Sequence, residues 1–278
     1  MEAAPAEETV VHAATSGWEP YLEGIVAELQ AGPAALEISG DLPAGAGLAS
    51  SAALCVALAL ALGAGARDTL ELARLCSRVE SEWAGAHTGL LDQLACLRGR
   101  EGHAVRLDMR SFEAEPVPLE LAGWTLAIID SGASRRNAAS GYNDRRRECA
   151  EACDLLRVDN LREAGDDIES LPEPLRSRAR HVAAENARVD AAVAALRAGD
   201  LAGLGELIDD SHASLRDLYE VSVPAVERTV EAARAAGAAG ARIHGGGFGG
   251  GVLALFGPDA RPPEGSLVVS PGGGARLL

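Results

Sequence analysis

A run of small residues with two adjacent hydroxyl groups is the first candidate site in this chain. Residues 43–53 read P-A-G-A-G-L-A-S-S-A-A, between an alternating apolar stretch and a continuous apolar run. Glycine lets a backbone approach an anion closely, and a helix N-terminus offers unpaired N–H groups and partial positive charge. Ser50 and Ser51 could also donate to a phosphate or bind Mg2+. The segment is either a phosphate-binding loop or an ordinary turn in which a serine caps the helix.

A second glycine-rich segment lies near the end of the chain. Residues 245–251 read G-G-G-F-G-G-G and contain the pattern G-x-G-x-x-G. They lie between two β-like runs and do not open a helix, so the dinucleotide-binding interpretation fails on context. Ordering six glycines costs much backbone entropy, which favours close approach to a ligand or to another backbone segment. A plain hairpin loop is the alternative.

Three further residues have side chains suited to catalysis or binding. Asp92 is flanked by apolar residues near the start of a predicted helix, so it is either a catalytic base or a first-turn or capping acid. Glu80 lies on a charged helix face, where the alternative to a functional role is solvation. Tyr142 opens the run Y-N-D-R-R-R, which is either an anion site or a solvated helix start. The residues alone leave these alternatives open.

Composition excludes several classes of protein. The 278 residues include 41 acidic and 25 basic side chains, and the net charge of −16 disfavours binding to nucleic acid or to anionic membranes. Every basic residue is arginine, which excludes a Walker P-loop with its required lysine. The six histidines lack zinc-site spacing. Five scattered cysteines without a C-x-x-C pair, and an acidic N-terminus, predict a cytoplasmic protein.

Hydrophobic periodicity places these candidates on a mixture of helices and strands. Helices are predicted at 18–30, 52–62, 68–84, 89–97, 140–157, 177–198, 201–215 and 224–236, and strands at 35–42, 103–108, 124–130, 241–244, 252–256 and 267–270. Strands toward both ends and helices between them predict an α+β fold with a domain boundary near residues 130–140.

Four segments, taken together and in order, resemble motifs of the galactokinase branch of the GHMP kinases (galactose, homoserine, mevalonate and phosphomevalonate kinases). Residues 41–54 resemble the phosphate loop P-x-G-x-G-L-S-S-S-A, with Ala49 at its first serine, residues 89–93 resemble G-I-M-D-Q, residues 140–146 resemble S-x-Y-N-x-R-R, and residues 241–250 resemble the third glycine motif. The resemblance extends over residues 17–278.

This resemblance implies a two-domain GHMP kinase fold. Residues 1–135 would form a ribosomal-protein-S5-like N-terminal domain with the phosphate loop, and residues 136–278 a ferredoxin-like α+β C-terminal domain. The chain has no segment like the family's first motif, G-R-V-N-L-I-G-E-H-T-D-Y-N. We therefore expect the N-terminal sheet to lack its first strands, and its exposed edge to favour self-association.

The resemblance also implies a phosphotransferase that uses ATP and Mg2+ to phosphorylate the anomeric hydroxyl of D-galactose. Asp92 would orient or deprotonate that hydroxyl, Asp92, Tyr142, Gly246 and Gly247 would contact the sugar, Ser51 and Glu80 would bind Mg2+, and Gly45, Gly47, Leu48, Ala49, Ser50, Ser51 and Ala52 would hold the ATP phosphates. The alternatives are an impaired nucleotide-binding or regulatory remnant, and a kinase for a different sugar.

Overall fold

The computed structural model describes residues 2–5, 9–13, 16–42, 48–85, 89–133 and 138–277. The chain forms two compact units. The first contains the described residues up to Val117 together with residues 271–277, and the second contains the described residues from Pro118 to Ser270. Each unit has its own hydrophobic core.

The first unit opens with a small mixed sheet. Strands β1 (Glu2–Pro5) and β2 (Val10–Ala13) precede helix α1 (Glu19–Leu29), and strand β3 (Ala34–Ile38) follows it. The strand order is β1-β3-β2, with β1 antiparallel and β2 parallel to β3. Helix α1 has a proline in its first turn and ends at Gln30, whose left-handed φ of 51° stops the helix.

Three helices pack together to form the body of the first unit. They are α2 (Ser50–Ala61), α3 (Thr69–Glu82) and α4 (Leu91–Arg98), with a short 3-10 helix (Ala64–Ala66) between the first two. The helix predicted at 52–62 corresponds to α2, whose Val56 and Leu58 are fully buried. Strands β4 (His103–Leu107) and β5 (Ala114–Pro118) form a separate hairpin. The chain's last residues return to this unit, where the Ala275 N–H donates to the Cys96 carbonyl at 2.7 Å.

The second unit is an α+β arrangement built on one antiparallel sheet. Its elements are β6 (Thr125–Asp130), α5 (Ala138–Leu156), two short 3-10 helices (Leu161–Glu163 and Gly165–Ser170), α6 (Leu175–Ala198), α7 (Leu201–Asp217), α8 (Pro224–Ala235), β7 (Ala238–Ile243), β8 (Gly251–Phe256) and β9 (Leu267–Val269). The strand order is β7-β8-β6-β9. Helices α7 and α8 pack against β7, and the core between them includes Val230, Ile243 and Phe256.

The N-terminal sheet and the boundary between the two units bear on the predicted domain organisation. Strands β1 and β2 precede α1 and pair with β3, and the expectation that the N-terminal sheet lacks its first strands stays a prediction. The domain division at residue 135 stays a prediction. The compact units of the structure change at residue 117, because β6 pairs with β8 and β9 rather than with the first unit's strands. No described helix is long and apolar enough to cross a membrane.

Candidate active site

The start of α2 supplies backbone donors that are not used by the helix itself. The first hydrogen bond of this helix runs from the Ala53 N–H to the Ala49 carbonyl at 3.0 Å. The amides of Ser50, Ser51 and Ala52 therefore have no acceptor within the helix. Ala49 precedes the helix with a left-handed φ of 53° and makes no side-chain cap. The alternative in which a serine caps this helix is wrong.

The other predicted phosphate-loop residues are only partly within the described chain. Leu48 is described and half-buried, next to Ala49. Gly45 and Gly47 lie outside the described residues, so their predicted contact with the ATP phosphates stays a prediction.

Three helices of the first unit bring Ser51, Glu80 and Asp92 together. Glu80 lies near the end of α3 and is only 1% exposed, so its alternative as a solvated surface residue is wrong. It has hydrogen bonds with Ser51 of α2 and with Gln93 of α4. Asp92 lies in the first turn of α4, next to Gln93, and its charge acts on Glu80. The alternative in which Asp92 is a first-turn acid is correct, and the same residue lies beside Glu80 in this cluster.

The electrostatics of this cluster centre on Glu80. Burial raises the pKa of Glu80, because a carboxylate is poorly solvated in the interior. Hydrogen bonds with Ser51 and Gln93 lower that pKa, and the negative charge of Asp92 raises it. A buried carboxylate with a second carboxylate nearby is a place where a cation would be stabilised.

The donor set fits Mg2+. Ser51 offers a hydroxyl oxygen and Glu80 a carboxylate oxygen, which are hard ligands of the kind that Mg2+ prefers. Among the described residues, no group of three His, Cys, Asp or Glu side chains could hold a metal ion. Mg2+ usually keeps several waters and binds through one or two protein oxygens plus substrate phosphates. Two protein ligands beside a phosphate loop are therefore sufficient for the predicted site.

The predicted sugar-contacting residues of the second unit also lie together. Residues 245–250, here named the glycine loop, connect the antiparallel strands β7 and β8, so the hairpin alternative is correct for its topology. A Cβ added at Gly246 would lie 3.3 Å from the ring of Tyr142. The loop is nonetheless closely packed, because a Cβ at Gly247 would lie 2.6 Å from the Val221 Cβ. Gly246 and Tyr142 thus line one surface of the second unit.

Comparison with known proteins identifies the family. Residues 19–100 match the GHMP kinases N terminal domain and residues 192–266 match the GHMP kinases C terminal family. The chain is 42% identical over 248 residues to a galactokinase of Thermotoga maritima, covering 86% of this chain and 71% of that protein. It is 39% identical over 273 residues to a galactokinase of Bos taurus, covering 93% and 69% of the two chains. The chain belongs to the galactokinase family.

Solved structures agree with membership of the galactokinase family. The galactokinase of Lactococcus lactis, solved in complex with galactose, superposes with a TM-score of 0.88 at 28% identity and covers 99% of this chain and 86% of that one. The mevalonate kinase of L. major shares the fold, with a TM-score of 0.55 at 18% identity, covering 93% and 77% of the two chains. The predicted two-domain GHMP kinase fold is confirmed. Members of the galactokinase family use ATP with Mg2+.

Two residues of the cluster were not predicted. Gln93 donates to Glu80 and is fully buried, and Tyr21 of α1 has a hydrogen bond with Ser51. Burial raises the pKa of Tyr21, and the charge of Glu80 adds to that effect. Gln93 belongs to the G-L-L-D-Q segment itself, and Tyr21 directly precedes Leu22, one of the periodic apolar residues of the helix predicted at 18–30. The resemblance could have drawn attention to Gln93, but its burial has no signal in the apolar periodicity.

Proposed function

We propose that this chain transfers the γ-phosphoryl group of ATP to the anomeric hydroxyl of D-galactose, giving galactose 1-phosphate and ADP. The observation that carries the proposal is the convergence of Ser51, Glu80 and Asp92 from three helices of one unit. Phosphoryl transfer depends on positioning and on neutralising charge rather than on covalent catalysis. Ser51 at the start of α2, Glu80 of α3 and Asp92 of α4 would supply the positioning, and Mg2+ held by Ser51 and Glu80 would supply the neutralisation of charge.

In the proposed reaction, the anomeric oxygen of the sugar attacks the γ-phosphorus while the bond to the β-phosphate oxygen breaks. Asp92 orients the attacking hydroxyl and accepts its proton. The backbone N–H groups of Ser50, Ser51 and Ala52 hold phosphate oxygens. Ser51 and Glu80 would hold Mg2+, which when bound neutralises charge on the phosphates.

The second unit is proposed to contribute sugar contacts. Tyr142 would pack against or hydrogen-bond to the sugar, and Gly246 and Gly247 would approach it through their backbone. The Tyr142 ring lies beside Gly246, where an added Cβ would be 3.3 Å from it, and this proximity supports a common role for the two residues. Gly246 is exposed and has no side chain, so its backbone would be accessible to an oxygen-rich ligand.

The experiment is ADP release from ATP and Mg2+ over a panel of aldoses, with wild-type protein and Asp92→Asn side by side. We expect galactose-dependent turnover in the wild type and a loss of at least about 10²-fold in kcat for the variant, as for removal of a general base. Equal thermal unfolding midpoints and equal nucleotide binding would show that Asp92→Asn remains folded.

Other results of the same experiment would select the alternatives. Turnover with another aldose and not with galactose would replace the proposed sugar. Intact nucleotide binding without turnover on any sugar would support the impaired or regulatory remnant. Turnover that survives Asp92→Asn would contradict the role of Asp92 while leaving the kinase activity in place.

We also propose a cytoplasmic protein whose partners are ATP and a sugar rather than nucleic acid or membrane. The net charge of −16 supports this view of its partners.

Self-association through the edge of the N-terminal sheet is a further proposal, supported by Val10 of the edge strand β2, which is 45% exposed. Sedimentation velocity across a range of concentrations would test it, and a constant monomer value would contradict it.

A further inference from the structure

An ionic cluster of four side chains lies within the second unit. Glu148 of α5 accepts a hydrogen bond from Arg145 of the same helix at 2.8 Å and one from Arg178 of α6 at 2.8 Å, one on each carboxylate oxygen. Glu220, which follows α7, accepts a hydrogen bond from Arg178 at 2.7 Å on Oε2. The same oxygen lies 3.6 Å from Arg145 Nη1. Each glutamate thus bridges both arginines, and Arg178 is 2% exposed. A buried arginine is tolerated only when its donors are satisfied in this way.

Both arginines also bind the backbone at the end of α7. Arg178 Nη1 donates to the Leu218 carbonyl, and Arg145 Nη1 donates to the Tyr219 carbonyl at 3.0 Å. The last carbonyl groups of a helix lack donors within the helix, and they carry partial negative charge. The planar fork of arginine suits simultaneous binding of a carboxylate and a carbonyl. The arginines therefore fix residues 218–221, here named the 218–221 turn.

The 218–221 turn is in turn hydrogen-bonded to the middle of the glycine loop. The Val221 N–H donates to the Leu215 carbonyl at 3.1 Å, and the Val221 carbonyl accepts from the Phe248 N–H at 2.7 Å. Gly247 has a φ of +81° and no room for a side chain beside Val221. The Phe248 ring occupies the space above Gly141, where an added Cβ would lie 2.5 Å from the ring. The loop is thereby tied to the turn on one side and to the start of α5 on the other.

We propose that Arg145 and Arg178 are positioning residues that hold the glycine loop in place through the 218–221 turn. The proposal rests on the proposed function in one respect, since it takes Gly246, Gly247 and Tyr142 to contact the sugar. It also gives Arg145, part of the Y-N-D-R-R-R run, a role other than binding an anion. Arg147 of the same run pairs with Asp144 at the surface, as expected for a solvated helix start.

Two substitutions test this chain of contacts, one at the largely buried Arg145 and one at the exposed Glu220, where unfolding is less of a risk. Arg145→Gln removes the donors to Tyr219 and Glu148. Glu220→Gln keeps the shape of a side chain that is 62% exposed and removes only its charge. We expect KM for galactose to rise about threefold to tenfold in both variants, with less than about a twofold change in kcat and in KM for ATP. Arg145→Lys retains the charge without the fork and should recover part of the loss.

Hydrogen exchange provides a readout that does not depend on activity. The Phe248 amide is protected by its bond to Val221, so exchange in a peptide covering residues 245–250 should quicken by about threefold to tenfold in Arg145→Gln and Glu220→Gln. The control is Arg180→Gln. Arg180 lies on α6, as Arg178 does, and the substitution removes only its surface ion pair with Glu169. We expect exchange at residues 245–250 and both KM values to be unchanged in this control.

The two proposals fail in different ways. Unchanged exchange at residues 245–250 in both Arg145→Gln and Glu220→Gln would overturn the positioning role. A fall in kcat with similar rises in KM for galactose and KM for ATP, together with a lower unfolding midpoint, would also overturn it. Such a result would indicate general destabilisation. If the wild type has no galactose turnover, the proposed function fails, and the exchange experiment still decides whether the arginines hold the loop. If Arg145→Gln does not fold, Glu220→Gln decides alone.

Discussion

The side-chain amide of Gln93 donates to the carboxylate of Glu80, and both side chains are at most 1% exposed. A buried carboxylate is stabilised in its charged form only by donors or cations. Gln93 supplies one donor and Ser51 the other. Within the described part of the chain, the Gln93 Oε1 atom has no hydrogen-bond partner. The hydrogen bond from Gln93 favours the charged form of Glu80, which is the form that the proposed Mg2+ site requires.

Replacing Gln93 should weaken Mg2+ binding more than ATP binding. In Gln93→Met, a side chain of similar length removes the donor to Glu80, which raises the pKa of that carboxyl and lowers its ability to bind a cation. Loss of a residue that orients a metal ligand typically costs about tenfold to a hundredfold in metal affinity. We expect the Mg2+ concentration for half-maximal activity to rise by about this factor, measured at saturating galactose.

Gln30→Met is the matched control for that experiment. Gln30 is an exposed residue at the end of α1, in the same unit. We expect its Mg2+ dependence to equal that of the wild type. If Gln93→Met and Gln30→Met have the same Mg2+ dependence, Gln93 has only a structural role.

Ser50 and Ser51 should differ although they are adjacent and identical. Ser51 has hydrogen bonds with Glu80 and Tyr21, so Ser51→Ala should remove a proposed Mg2+ ligand and raise the Mg2+ requirement by about tenfold or more. Ser50→Ala loses no such contact and keeps its backbone donor, so its Mg2+ requirement should change less than about threefold. Titrations of Mg2+ at fixed ATP on the two variants check this. Equal shifts would remove Ser51 from the metal site.

Much of the helical framework could be predicted from the sequence. The stripe containing Trp18, Leu22 and Ile25 predicted a helix at 18–30, and α1 spans Glu19–Leu29. Apolar period and charge on the opposite face are local properties, so they specify a helix before any partner is known. Strands β1, β2 and β5 were missed. Their sequences, E-A-A-P, V-V-H-A and A-E-P-V-P, are short or contain proline, so their pairing depends on a neighbouring strand.

The candidate site was predicted only in part, for a related reason. The resemblance selected Ser51, Glu80 and Asp92, and the structure brings these three together. Periodicity alone favoured a solvated Glu80, because a single charged residue on a helix is usually exposed. Burial of Glu80 depends on how α3 packs against α2 and α4. Such packing is a tertiary property that no local pattern contains.

Gly205 of α7 should tolerate no side chain. An added Cβ would lie 2.7 Å from the Ala239 carbonyl oxygen, and a backbone carbonyl in a sheet cannot move aside easily. Gly205→Ala gains about 1 kcal/mol of helix propensity but incurs an overpacking cost of about 1–3 kcal/mol. Since the contact is with backbone, we expect a net loss of stability, measured by urea unfolding. Gly40→Ala, where a Cβ meets nothing within 4 Å, is the control and should be neutral. A stabilised Gly205→Ala would contradict the close packing of α7 on β7.

His181 should make the stability of the second unit depend on pH. Its Nδ1 atom lies 2.8 Å from the Ser214 hydroxyl, and its ring stacks on Tyr219 with centroids 4.3 Å apart. Burial lowers the pKa of His181 to about 4, with Glu185 opposing the shift and three arginines, Arg188, Arg242 and Arg178, adding to it. Because the folded pKa lies below the unfolded value of about 6.5, the unfolded chain binds the proton first as the pH falls.

The contribution of His181 is therefore fully present above about pH 6.5 and is lost between about pH 6.5 and pH 4. The loss can reach about 3 kcal/mol for a shift of this size. We expect the free energy of unfolding to fall less steeply over this range in His181→Gln than in the wild type, as measured by urea titration at about pH 7 and about pH 4.5. His12→Gln, at an exposed residue of β2, should keep the wild-type slope. Identical slopes in all three proteins would show that His181 takes up its proton equally in the folded and unfolded chains.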